Sequence, residues 1–183
     1  MKNIVALAAS NSKKSINKQL VSYVLEQVTG FKTHILDLND LDLPMYNPDV
    51  QDEFGIPDDA TRFAAMIASC DGVILSLAEH NSHFSAAFKN LWDWVSRVDK
   101  TFWADKPMLL MAASPGPRGG QNVLKNAQEM FPYFGGNIIA DFSLPSFHDN
   151  FKEGQLLDRQ LSEVLKQKVR LFQDAIDVPQ LSL

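Results

Sequence analysis

Asp71-Gly72-Val73-Ile74-Leu75-Ser76-Leu77-Ala78-Glu79-His80-Asn81-Ser82-His83-Phe84 decides how the rest of the chain is read. Through Leu77 it is a short apolar run without alternation, the pattern of a strand covered on both faces. The run stops at the polar residues Glu79 to Ser82 and restarts as a helical stripe of Phe84, Phe88, Leu91, Trp92, Val95 and Val98. Polar side chains and free backbone groups therefore gather at the carboxyl end of a central strand. Open parallel sheets bind their ligands at that edge.

Working outward, Ile4 to Ala9 and Met108 to Ala113 repeat the unbroken apolar pattern, and Thr33 to Leu38 and Asn137 to Ala140 give weaker versions of it. Helical stripes lie between them: Leu20, Val21, Val24, Leu25 and Val28, then Phe63, Met66, Ile67 and Cys70. Leu124, Ala127, Gln128 and Phe131 continue the series, and Leu157, Leu161, Val164, Leu165 and Phe172 close it. Strand and helix alternate along the whole chain, which predicts parallel crossovers and a doubly wound α/β sandwich. One segment breaks the rhythm. Asn39 to Pro57 is longer than an ordinary connection, and structureless loops of that length usually serve function or an interface.

The bulk properties bound the function. At 183 residues and 45% hydrophobic content the chain is long enough for one core, so a single domain over 1–183 is expected. A net charge of -5 and a pI near 5.3 argue against a nucleic-acid partner, which needs a basic face. The single cysteine rules out an internal disulfide and fits a reducing cytoplasm. The start, Met1-Lys2-Asn3 followed by an apolar run, superficially resembles an export signal, but the run falls short of the roughly 7 to 15 residues such a signal uses. No stretch approaches the roughly 20 apolar residues of a membrane span.

Three loops carry the chemistry. Ala9-Ser10-Asn11-Ser12-Lys13-Lys14-Ser15-Ile16-Asn17-Lys18 has neither a Walker Gly-Lys-Ser/Thr nor a G-x-G-x-x-G, yet it places serines and asparagines at a helix start, where unpaired N–H groups and the helix dipole favour an anion. The competing reading is an ordinary N-cap at Ser15 or Asn17. Glu79, His80 and His83 lack the spacing of a tetrahedral metal cage. A cap for the next helix explains them better than a metal, and a flat ligand resting on the loop explains them better than either. Ser114-Pro115-Gly116-Pro117-Arg118-Gly119-Gly120 reads as turn chemistry or as a third ligand loop on the same edge. Cys70 continues an apolar stripe and is expected to be a core thiol, and Lys89 and Asp93 a weak surface pair. Trp94 lies off the core stripe, at an interface or at its rim.

These residues resemble the NAD(P)H-dependent FMN reductase family of flavodoxin-like proteins, which includes quinone and chromate reductases. Ala9-Ser10-Asn11-Ser12-Lys13-Lys14-Ser15-Ile16-Asn17 is similar to the family's Gly-Ser-x-Arg-x-x-Ser-x-Asn phosphate loop. Ala78-Glu79-His80-Asn81 and Phe88-Lys89-Asn90-Leu91-Trp92-Asp93-Trp94 resemble its Pro-Glu-Tyr-Asn and Leu-Lys-Asn-x-x-Asp-Trp segments. Leu43-Pro44-Met45-Tyr46-Asn47 resembles Leu-Pro-x-Tyr-Asp, and Ser114 to Gly120 the Gly-Gly loop after the fourth strand. Ser12 stands where an arginine is usual, Ala78 for a proline, His80 for a tyrosine, and Ser85-Ala86-Ala87 for a Pro-Gly turn, with Lys13 or Lys14 available to replace the lost charge.

The resemblance implies a flavodoxin-like three-layer sandwich with a five-stranded parallel sheet in the order 2-1-3-4-5. FMN is the expected bound cofactor and NADH or NADPH the hydride donor. The expected binding residues are Ser10, Ser12, Ser15, Ile16 and Asn17 for the phosphate, then Ala78, Glu79, His80 and Asn81, and finally Ser114, Pro115 and Gly116. No side chain is expected to act as acid, base or nucleophile, because the flavin N5 carries the chemistry. A small-molecule acceptor such as a quinone or free flavin, a homodimer or dimer of dimers, and a cytoplasmic location complete the expectation. The alternatives are a non-enzymatic flavin-binding electron carrier or regulator, and a degenerate family member.

Overall fold

The computed structural model describes residues 1–177. Its strands are β1 (Asn3–Ala9), β2 (Lys32–Leu36), β3 (Gly72–Leu77), β4 (Glu79–His80), β5 (His83–Phe84), β6 (Pro107–Ala113), β7 (Asn137–Leu144), β8 (Phe151–Lys152) and β9 (Gln155–Leu156). Its helices are α1 (Ile16–Leu25), α2 (Pro48–Phe54), α3 (Asp58–Ser69), α4 (Ala86–Val98), α5 (Gln121–Met130), α6 (Phe147–Asn150) and α7 (Arg159–Asp177). The main sheet runs β2-β1-β3-β6-β7, parallel throughout. Counted within that sheet this is the order 2-1-3-4-5, and the other four strands form two short hairpins.

Strand alternation divides the core in two. In β1, Val5, Leu7 and Ala9 face a cluster that takes Phe63 and Ile67 from α3, Phe88 and Trp92 from α4 and Leu124 from α5. Ile4, Ala6 and Ala8 face the opposite cluster, built on Leu20, Val21 and Val24 of α1 and Leu165, Val169 and Phe172 of α7. Truncating a large side chain of either cluster, such as Leu20, Phe63 or Phe172, to alanine opens a void that costs about 2–5 kcal/mol.

Several expectations change in detail. Phe84 is not helical: a two-residue turn after His80 returns the chain as β5, and Ser85 then caps α4. Leu38 leaves the second strand for a short 3-10 turn, and β7 extends to Leu144. Gln128 is exposed, as are Leu157 and Val164, because the buried stripe of α7 is Leu165, Val169, Phe172 and Ile176. The long segment from Asn39 to Pro57 is not structureless. Asn47 caps α2 and Pro48 sits in its first turn, where a missing N–H costs nothing. Trp94 is fully buried, not at a rim: its Nε1–H donates to Pro44 O at 2.7 Å, and its ring meets Tyr46 edge-on at 5.0 Å.

Candidate active site

The first loop folds on its own serines. Ser10 Oγ accepts from the Ser12 N–H at 3.2 Å, Ser12 Oγ from Lys14 N–H at 3.3 Å, and Ser15 Oγ from Lys18 N–H at 3.2 Å. Ser15 is thereby the N-cap of α1. Each hydroxyl acts as acceptor, so its own proton is free to donate. The N–H groups of Asn11, Lys13, Ile16 and Asn17 have no acceptor among the described residues. Free donors at the positive end of a helix dipole make an anion cradle.

Asn17 is turned inward, not toward the loop. Its Oδ1 accepts from Ser76 Oγ at 2.7 Å and from Ala113 N–H at 2.9 Å, and its Nδ2 donates to Ala113 O at 3.3 Å. Ser85 makes the corresponding tie for α4, donating to Ala9 O at 2.8 Å while accepting from Phe88 N–H at 3.2 Å. Among the described residues the buried polar side chains are Ser10, Ser15, Asn17, Ser76, Ser85 and Asp59, and all but Asp59 lie at this one sheet edge. Buried polar groups that satisfy one another in this way fix local geometry.

The second loop is the hairpin of β4 and β5. Asn81 and Ser82 both have positive φ, 50° and 65°, as a type I′ turn requires. The hairpin is fastened to α5 at three points. Glu79 Oε2 accepts from Val123 N–H, Asn122 Nδ2 donates to Ser82 Oγ and Asn126 Nδ2 to Ser82 O, each at 3.0 Å. Glu79 thus supplies the cap that Gly120, the N-cap residue of α5, cannot.

The third loop is held by backbone. Ser114 Oγ donates to Gly116 O at 3.1 Å, while Phe147 N–H and Ser146 N–H reach Ser114 O and Gly116 O at 3.0 and 2.9 Å. Gly119, at φ 58°, leaves no room for a side chain: a Cβ there would lie 2.3 Å from Ser143 Oγ and 2.8 Å from Pro145 N.

The three loops border one open pocket of about 230 Å³. Ten of the twelve expected residues line it: Ser10, Ser12, Ser15, Ile16 and Asn17 from the first loop, Ala78, Glu79 and His80 from the second, and Ser114 and Pro115 from the third. Lys14 and Ala113 join them, while Asn81 at the exposed hairpin tip and Gly116 lie outside the lining. Beside the pocket, Lys18 pairs with Asp37 at the end of β2, and this ammonium, with the Asn39 N–H, holds the Asp37 carboxyl below its ordinary value. Among the described residues no group of three histidine, cysteine or acidic side chains could hold a metal.

Ser76, Ser85 and Asn90 were missed as supporting residues. Asn90 Oδ1 accepts from Tyr46 N–H at 2.8 Å and its Nδ2 donates to Pro44 O at 3.0 Å, so α4 grips the long loop through Asn90 and Trp94. Ser76 had a visible signal: a lone hydroxyl in an apolar central strand must be paired.

The chain is 28% identical to a quinone reductase of Escherichia coli (strain K12) over 165 residues, which is 90% of this chain and 85% of that one. It is 25% identical over 147 residues to an NAD(P)H-dependent FMN reductase of Pseudomonas aeruginosa, covering 79% and 78%. Among solved structures, FerB, a flavoenzyme NAD(P)H:(acceptor) oxidoreductase from Paracoccus denitrificans, superposes with a TM-score of 0.76 at 24% identity, covering 97% of this chain and 98% of that one. The family model described as NADPH-dependent FMN reductase matches residues 2–149, and the chain belongs to that family.

Proposed function

We propose that the pocket at the carboxyl edge of the sheet seats FMN and that the protein is an FMN-dependent NAD(P)H oxidoreductase delivering electrons to a quinone, a free flavin or a similar small acceptor. The observation that carries this reading is the convergence of an acceptor-free donor loop, a braced hairpin and a glycine-rich loop on one edge. The donor set fits a phosphate. The serine hydroxyls and free N–H groups are all donors, Lys14 adds a positive charge, and the one lining carboxylate, Glu79, is engaged by Val123.

FMN, when bound, supplies the hydride-accepting and electron-passing chemistry. The chain's own part is binding and orientation. Ser10, Ser12 and Ser15 would hold the phosphate through their hydroxyl protons, and the α1 dipole would stabilise its charge. The backbone of Ala78 to His80 and of Ala113 to Pro115 would hold the flavin ring. The α5 contacts tie the hairpin in place beside the pocket. No proton transfer is assigned to a side chain.

The purified protein should carry a flavin absorbance spectrum that bleaches on anaerobic titration with NADH or NADPH and recovers on adding a quinone. A colourless protein that takes up no added FMN would overturn the reading. Self-association belongs to the same proposal, supported by the exposed Met45, Phe54 and Ile56 on the long loop and α2.

A further inference from the structure

We infer that Asn17 is a positioning residue that couples the phosphate loop to the ring loops, and that its side chain is not a phosphate ligand. This inference rests on the FMN reading above. Asn17 is 3% exposed, and its amide makes contacts that lead away from the first loop. Oδ1 takes two donors, Ser76 Oγ and Ala113 N–H, which fills its acceptor capacity. Nδ2 spends one of its two protons on Ala113 O.

The partners are placed where leverage is greatest. Ser76 is the next-to-last residue of β3, two before the Ala78 that opens the hairpin loop. Ala113 is the last residue of β6, immediately before Ser114. One amide in the first turn of α1 therefore pins the three loops in register. A one-residue change in that amide releases the phosphate end and the ring end together, although only the phosphate end is its neighbour in sequence. Ser76 itself is 0% exposed and does not line the pocket, and the hydrogen bond of its hydroxyl runs to Asn17.

The distinction is measurable because riboflavin has the ring and lacks the phosphate. Affinities of apoprotein for FMN and for riboflavin are read from flavin fluorescence, without turnover. Asn17→Ala should weaken both flavins by the same factor, about tenfold, as expected for unpairing buried partners. Ser76→Ala, the milder variant, should weaken both in parallel by about threefold with its far-UV spectrum unchanged. The ratio of the two affinities should stay at its wild-type value in each variant.

Loss of FMN affinity with riboflavin affinity intact would make Asn17 a direct phosphate ligand and overturn the inference, as would unchanged binding of both flavins in the two variants. If Asn17→Ala fails to fold, Ser76→Ala alone decides by the same ratio. Failure of the underlying FMN reading is a different result: wild-type apoprotein would bind neither flavin.

Discussion

The Glu79 carboxylate accepts the Val123 N–H at 3.0 Å, so a residue of the ligand-facing hairpin is also the cap of the helix behind it. Charge at a helix start and a satisfied N–H are both stabilising, together about 1–2 kcal/mol. Glu79→Ala should lower the unfolding free energy by that amount, read as a lower urea midpoint at unchanged slope, and Glu79→Gln, which keeps an acceptor oxygen, should recover about half. Flavin affinity should fall in the alanine variant, since the hairpin loses one of its three ties to α5. A midpoint within error of wild type for Glu79→Ala would show that water caps α5 equally well.

A second test concerns acid stability. Lys18 holds the Asp37 carboxyl below its ordinary value of 3.8, and the Asn39 N–H adds to the effect. A carboxyl lowered on folding stabilises the native state above its unfolded value and loses that contribution as pH falls through its native value. The stability difference between wild type and Asp37→Asn should therefore be constant from neutral pH down to about pH 5 and shrink below about pH 4. The pair is partly exposed, so the difference is small and should shrink further in high salt. A difference that grows on acidification would reverse the sign and remove Asp37 as the source.

The layers of the fold were legible because both signals are local in sequence. Unbroken apolar runs marked β1, β3 and β6, and stripes at helical spacing marked α1, α3 and α4. What could not be read depends on partners distant in sequence. Trp94 sits off the apolar stripe of α4, yet it is buried because the Pro44 carbonyl, 50 residues away, accepts its indole N–H. Asn17 looked like a loop donor, but its amide is consumed by Ser76 and Ala113, 59 and 96 residues away. The hairpin turn was open to a sequence reading and was missed. Asn81-Ser82 lacks the glycine that usually announces a type I′ turn, and both residues carry positive φ without it.

Cys70 gives a check on packing beside the sheet. Burial pushes its thiol up from the ordinary value, it is 3% exposed, and its Sγ–H donates to Ile67 O at 3.2 Å. Thiolate is the reactive form, so a buried thiol of raised pKa is inert. An aromatic disulfide reagent at pH 8 should titrate no thiol in the folded protein and one per chain in denaturant, with a native-state rate set by unfolding. Reaction at the rate of a free thiol would show that the C-terminal end of α3 opens locally.

The long loop makes the last test, on assembly. Of its apolar residues, Leu41, Leu43, Tyr46 and Val50 pack against the chain's own core, so most of the surface that the sequence offered to a partner is used internally. Trp94 is likewise withdrawn from any interface. What remains is Met45 at 70% exposure, between the Pro44 and Tyr46 that Trp94 and Asn90 tie to α4, with Phe54 at 74% and Ile56 at 36%. Preformed apolar surface of this kind costs little entropy to bury, and methionine and aromatic side chains are favoured at interface centres. A two-fold contact would bring both copies of the patch together. Light scattering should give about twice 20.5 kDa at micromolar concentration, and Met45→Asp combined with Phe54→Asp should return the monomer with its circular dichroism unchanged. A wild-type mass near 20.5 kDa with full flavin occupancy and turnover would show that the site is complete within one chain and leave the patch without a self-association role.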